Sequence, residues 1–188
     1  MPKVVDRDRY RRELLSHCLE LFAERGYGSI TMRQIAEGLD VSTGTLYHYF
    51  PSKEGIFIQL VQELCERDIA EFLERAPVGE SLRERLQLVT EFFRQHFQHY
   101  QQQLFLWIDF YQHGQRHEID DREFLNGLWQ RIRDSLAAYL QESNPDRVDF
   151  ILTFMDGMLL HCIYERDRED PTWIARQLEL LVQLLDAD

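Results

Sequence analysis

The chain has 188 residues, 44% of them hydrophobic and 29% charged, with a net charge of −12. That length holds one large domain or a small head on a larger body, with ample apolar material for a core. No run of about 18 apolar residues occurs, and charged residues follow Met1-Pro2-Lys3, so neither a membrane span nor a secretory leader is expected. The acid load is uneven. Residues 1–60 carry 8 basic and 8 acidic groups, and the other 13 basic and 25 acidic groups lie in 61–188. A head with basic groups at Arg7, Arg9, Arg11, Arg12, Arg33 and Lys53 can meet phosphate while an acidic body repels it, which favours one orientation of approach.

In chain order, residues 8 to 25 read as a first helix, with Leu14, Leu15, Cys18, Leu19, Leu21 and Phe22 apolar and Gly26 as its stop. Thr31 caps a second short helix and Gln34, three residues on, completes a capping box. Met32, Ile35, Ala36 and Leu39 give that helix one apolar stripe. Asp40 makes the turn, because Asp tolerates a left-handed backbone, though less easily than Gly. Val41 pins the turn to the core. Ser42 or Thr43 caps a third helix whose Leu46 and Phe50 face inward, leaving Thr43, Gly44, Thr45, Tyr47 and His48 to face outward. Pro51 stops it. Two short helices about a tight turn make the shape of a reading head for DNA. Lys53 then stands in the first turn of a helix starting at Ser52. A cation there opposes the helix dipole, and a phosphate facing it would account for the placement.

The long helix from Ser52 runs to Arg75 and stops before Pro77. Ser81, with Glu84 three residues later, opens another that reaches about Tyr100 or beyond. Gln101-Gln102-Gln103 then separates it from a short apolar piece, Leu104 to Tyr111, and His113 to Asp120 reads as a polar loop. Helices over 121–142, 146–167 and 171–187 finish the chain, with breaks at Ser143-Asn144-Pro145 and near Pro171. The fold class is all-α, with no convincing strand pattern. Cys18, Cys65 and Cys162 are widely spaced and follow no Cys-x-x-Cys pattern. They read as small core residues of a reducing compartment, hence a cytoplasmic protein.

The segment Gly26-Tyr27, Thr31, Ile35-Ala36, Val41-Ser42-Thr43-Gly44-Thr45-Leu46-Tyr47-His48-Tyr49-Phe50, Ser52-Lys53-Glu54 resembles the signature of the TetR family of bacterial transcriptional regulators. Leu39 and Asp40 depart from its usual Ala-Gly before the Val. The resemblance implies a helix-turn-helix DNA-binding domain over residues 1–52 and an effector-binding and dimerisation domain over 53–188. It implies that Thr31 and Arg33 touch the DNA backbone or a base edge, and that Ser42, Thr43, Gly44 and Thr45 enter the major groove. By the same resemblance Tyr47 and Tyr49 reach phosphates, His48 a base or phosphate, and Lys53 clamps a phosphate. The ring of Tyr49 packing on the first helix is the alternative for that residue.

The helices at 146–167 and 171–187 are apolar nearly all round, and such helices must be covered on two sides. A second copy of the chain would cover them in a four-helix contact about a two-fold axis, and the resemblance agrees. The interface residues expected are Phe150, Phe154, Gly157, Leu160, Ile174, Leu178, Leu181 and Leu185. The resemblance further implies a small-molecule effector among the central helices. Phe97, Trp107, Asp109, Tyr111, Trp129, Phe154, Met158 and His161 are the candidates to touch it. Acid and aromatic lining would suit a cationic or aromatic ligand.

His96 with His99, and His113 with His117, have spacings that place imidazoles on one helical face. No matched carboxylate or cysteine accompanies them, so no metal and no cofactor is expected. A metal-responsive regulator and a dimeric helical adaptor that no longer reads DNA are the alternatives to a ligand-responsive repressor on a palindromic operator. An enzyme is not expected: there is no Gly-rich phosphate loop, no Gly-x-Ser-x-Gly, no His-Glu-x-x-His and no Glu-x-x-His pair.

Overall fold

The computed structural model describes residues 6–76, 79–113, 121–165 and 170–186, with the side chains of the helix beginning at Asp121 described from Asn126 onward. Lys3, Pro77, His117 and most of the polar loop expected at 113–120 lie outside the described residues. Among the described residues the secondary structure is helical: α1 (Arg7–Arg25), α2 (Met32–Gly38), α3 (Thr43–Tyr49), α4 (Lys53–Arg75), α5 (Leu82–Gln95), α6 (Phe97–His113), α7 (Asp121–Leu140), α8 (Pro145–Tyr164) and α9 (Pro171–Asp186).

Local chemistry accounts for most ends. Asp6 caps α1 by accepting the amides of Asp8 and Arg9, and Gly26, at φ 76°, releases the chain from it. Capping boxes open α2 (Thr31 with Gln34) and α5 (Ser81 with Glu84). Asn144 caps α8 with Pro145 in its first turn. Gln141, at φ 56°, ends α7 as the amide of Glu142 returns to the carbonyl of Ala137. One boundary differs from expectation. The break falls at His96 (φ −103°, ψ 14°), and a single helix then runs through Gln101–Gln103 to His113. No Gly or Pro marks the break, and glutamines are good helix formers, so the polar run interrupts nothing.

The chain packs as two compact units, Met1–Arg67 with Phe105–Ile119, and Asp68–Leu104 with Asp120–Asp188. Both α4 and α6 contribute residues to each unit, so this packing division does not follow a functional division at residue 52. The first unit buries Leu14, Leu15, Cys18 and Phe22 of α1, Ile35 and Ala36 of α2, Leu46 of α3, and Ile56, Phe57 and Leu60 of α4. Segment 105–113 of α6 completes it: Phe110 stacks on Phe57 (centroids 4.2 Å apart, 3° between planes) and meets the edge of Tyr27 at 5.0 Å. At Gly38 α2 comes close to α1: a Cβ there would lie 2.7 Å from a Leu21 methyl, so that side chain would have to shift. The second unit centres on Leu86, Val89 and Phe93 of α5, Met155, Met158 and Leu159 of α8, and Ile174, Leu178, Leu181 and Val182 of α9.

Of the three cysteines, Cys18 and Cys162 are buried and Cys65 is half-buried. Burial pushes the Cys18 thiol up to about 12, so it stays protonated and inert.

Candidate nucleic-acid interface

The turn between α2 and α3 is built by backbone bonds. The amide of Val41 donates to the carbonyl of Ala36 at 3.0 Å and that of Asp40 to Glu37 at 3.2 Å. Asp40 takes φ 53°, the left-handed conformation this turn demands. Ser42 caps α3: its Oγ accepts the amide of Thr45 at 2.9 Å and lies 2.8 Å from that residue's hydroxyl. Ser42 and Thr45 are therefore engaged with each other at the start of α3.

Leu46 and Phe50 anchor α3 fully buried, and the opposite face is open. Thr43, Gly44, Tyr47 and His48 are exposed, Tyr47 at 54%. A large aromatic in water has no reason in the fold of this unit. Nor has Gly44: its φ is ordinary, and a Cβ would meet nothing nearer than Ser42 Oγ at 3.7 Å. The open face thus carries a small residue that leaves the backbone bare, a hydroxyl and a phenol one turn later. These are groups that admit and contact a close external surface.

Thr31 is exposed, with its hydroxyl engaged in the capping box to Gln34. Arg33 is exposed and pairs with Glu37 at 3.0 Å, a surface pair that holds the guanidinium only weakly. Tyr49 is half-buried and packs edge-on against Tyr10 of α1, centroids 5.6 Å apart, so its ring serves the α1–α3 contact. His48 lies 5.2 Å from Tyr49 in a T-shaped arrangement, and its Nε2 is 2.6 Å from Nη2 of Arg7.

Lys53, expected to clamp a phosphate, also has partners within the protein. Its ammonium donates to the carbonyls of Tyr27 at 2.8 Å and Ile30 at 3.0 Å, and lies 4.4 Å from the Tyr27 ring centre. Burial lowers its pKa, with Glu54 and then Asp109 acting the other way. The Tyr27 hydroxyl donates to Glu54 at 2.9 Å, and the amide of Gly28 donates to Asp109 Oδ2 at 3.2 Å. Asp109 also pairs with His113 at 2.8 Å. The α1–α2 turn is therefore clamped by α4 on one side and by α6 on the other.

That clamp removes Asp109 from the expected effector contacts. Trp107, Asp109 and Tyr111 belong to the first unit, Trp107 meeting Phe57 edge-on and Tyr111 standing 68% exposed. The other candidates lie in the second unit. Phe97 and Met158 are buried in its core, Phe154 packs against that core, Trp129 is partly exposed, and His161 stacks on Trp173 at 5.6 Å. Sequence reading passed over Asp156. It is half-buried on α8 without a hydrogen-bond or ion-pair partner among the described residues, and burial pushes its carboxyl up to about 6. An acid between Met155 and Gly157 in an apolar helix was its only signal.

The expected dimer residues divide by helix. On α8, Phe150 and Gly157 are exposed, Phe154 and Leu160 half-buried, and a Cβ on Gly157 would meet nothing within 4 Å. On α9 the expectation is corrected: Ile174, Leu178, Leu181 and Leu185 are buried in the protomer's own core. The apolar residues that α9 leaves open are Leu180 (49% exposed) and Leu184 (65%).

His96 and His99 do not converge. His96 meets Glu71 at 3.4 Å with its Nδ1 on the carbonyl of Phe92, while His99 meets Asp68 at 3.2 Å and Gln103. Among the described residues no group of three potential ligands could hold a metal ion, and no helix is long and apolar enough to cross a membrane.

Comparison with known proteins matches this geometry. Residues 14–60 fit the sequence profile described as bacterial regulatory proteins, tetR family. The HTH-type transcriptional regulator BetI of Brucella anthropi is 29% identical over 144 residues, 76% of this chain and 73% of that one. The HTH-type transcriptional repressor KstR of Rhodococcus jostii is 37% identical over 79 residues, covering 42% of this chain and 36% of its own length. Among solved structures, the transcriptional regulator FadR of Bacillus subtilis, in complex with stearoyl-CoA, superposes with a TM-score of 0.72 at 23% identity. The match covers 91% of this chain and 97% of that one and is a likeness of fold. The profile spans the end of α1, the capped turn and the open face of α3, the parts that make a reading head, and over residues 14–60 the chain matches the TetR family of bacterial regulatory proteins.

Proposed function

We propose that the protein is a ligand-responsive repressor that acts in the cytoplasm and binds a palindromic operator as a homodimer. The observation that carries this reading is the open face of α3, where Gly44 and Tyr47 have no role in the fold that holds them. Residues 1–52 carry the DNA contacts. Thr43, Gly44 and His48 enter the major groove, with Ser42 and Thr45 at the mouth of the helix. Tyr47 reaches a phosphate, and Thr31 and Arg33 meet the backbone from the start of α2. Lys53 has a third N–H beyond the two that hold the α1–α2 turn, and that donor faces a phosphate. Half-site centres lie about 34–36 Å apart or at a multiple of that spacing.

Two copies join through the exposed and half-buried residues of α8 (Phe150, Phe154, Gly157 and Leu160) and the exposed Leu180 and Leu184 of α9. Residues 53–188 bind the effector, which sits within the part of them that forms the second unit, and the stearoyl-CoA complex of the FadR structure supports a helical bundle of this fold as a ligand holder. Asp156 is the acid available there to a cationic group. The ligand shifts α4, which serves both units, and so changes the spacing of the two heads; a pair of heads out of register cannot engage both half-sites.

The test is selection from a randomised duplex pool at moderate salt, with Tyr47→Ala beside the parent protein. The parent enriches a palindrome, its affinity falls steeply as salt rises, and Tyr47→Ala weakens binding about tenfold without a change in folding. A folded dimer that enriches nothing at any salt overturns the DNA reading and leaves the adaptor alternative.

A further inference from the structure

The first residue of α1 touches the sixth residue of the reading helix. Arg7 Nη2 lies 2.6 Å from His48 Nε2 across 41 residues of sequence. A guanidinium only donates hydrogen bonds and is always charged. The imidazole nitrogen facing it must therefore accept, which places the ring proton on Nδ1. One nitrogen's partner fixes the tautomer of the other. The ring is also held in place: the face-to-edge contact with Tyr49 at 5.2 Å and 85° is backed by Tyr10 of α1 against Tyr49. His48 stands one turn beyond Gly44 on the exposed face of α3, and its Nδ1 has no hydrogen-bond partner among the described residues.

We propose that Arg7 is a specificity-determining positioning residue: it fixes His48 as an Nδ1–H donor on the face of α3 that reads DNA. This rests on the DNA reading of α3 given above. In the major groove such a donor selects an acceptor edge, namely purine N7, guanine O6 or thymine O4, and rejects the amino edge of cytosine. The remaining N–H groups of Arg7 lie beside the same helix and offer positive charge to an adjacent phosphate. Arg7 is thus more than general basic charge on the arm, because its loss changes which base is chosen as well as how tightly DNA is held.

Two measurements test this. Long-range ¹H–¹⁵N correlation of the imidazole nitrogens in the intact protein reports the tautomer of His48 directly, without DNA. The Nδ1–H form is expected in the parent, and a mixture richer in Nε2–H in Arg7→Ala. Selection from a randomised duplex pool is then run with the parent, Arg7→Ala, His48→Ala and Arg7→Ala/His48→Asn. Arg7→Ala and His48→Ala lose about tenfold of preference at the same one position per half-site. His48→Asn restores it in the Arg7→Ala background, because an amide N–H stands near the Nδ1 position without help from Arg7. An Nε2–H ring in the parent, or a preference untouched by Arg7→Ala, overturns the proposal while the parent's palindrome keeps the DNA reading intact. A parent with the expected tautomer that selects no sequence overturns the DNA reading itself and the readout assigned to His48 with it.

Discussion

A lysine ammonium has three donors, and Lys53 directs two of them at the carbonyls of Tyr27 and Ile30. Those carbonyls end the turn between α1 and α2, where no helix or strand bond satisfies them. Lys53→Met keeps the aliphatic stem and removes both bonds. Charge-assisted bonds of this kind contribute about 1.5–3 kcal/mol each when their partners are left unmet. Half-burial and access to water reduce that here, and we expect a loss of about 2 kcal/mol in urea unfolding. Unchanged stability with weakened DNA binding would return Lys53 to a purely external role. From the sequence, a lysine at a helix N-terminus asked for a partner, and a phosphate was the one expected there. The carbonyl partners were not legible, because Tyr27 and Lys53 are 26 residues apart and their meeting depends on how α1 and α4 pack.

Helix starts and stops are written in short segments, and they were legible for that reason. The Thr31–Gln34 and Ser81–Glu84 boxes, Gly26, and the left-handed Asp40 all stand where their side chains predict. Membership of a core is written across the whole chain, and α6 shows the difference. Its apolar run signals burial without saying against what. In the structure Phe110 stacks on Phe57 and Asp109 accepts from Gly28, so segment 105–113 completes the packing around α1 and α4. Phe110→Ala removes a buried ring, and losses of about 3–5 kcal/mol are usual for such a change. We expect that loss in chemical denaturation, together with weaker operator binding, because the turn that α6 steadies leads into α2. A loss confined to DNA affinity would mean that the stack adds little to folding. On α9 the ambiguity is one of stripe: apolar residues on more than one face give no rule for which face turns inward. Packing on α5 and α8 takes Ile174, Leu178, Leu181 and Leu185 into the core and leaves Leu180 and Leu184 in water.

For the molecule as a whole, that choice of stripe sets what a second copy can touch. Glutamate at both open positions, Leu180→Glu/Leu184→Glu, places two charges on the proposed interface and none in the protomer core. Sedimentation equilibrium is expected to show at least a tenfold weaker dimer with helical content unchanged, since an unpaired charge at a buried contact costs several kcal/mol. A dimer of undiminished strength would exclude this face of α9 as the contact. In the proposed reading the two heads bind one operator as linked sites, so dimer strength also sets DNA affinity.

The seam in α6 has a further consequence for anyone recombining regulators of this kind. A head lifted out after α4 leaves behind the aromatic ring that caps Phe57 and the carboxylate that holds Gly28, and one lifted out after α3 loses Phe57 as well. The transferable module is discontinuous in sequence. A chimaera that swaps residues 6–67 together with 105–113 carries its own keystone, whereas one that swaps the N-terminal stretch alone must find a compatible ring and acid in a host that was never selected to provide them.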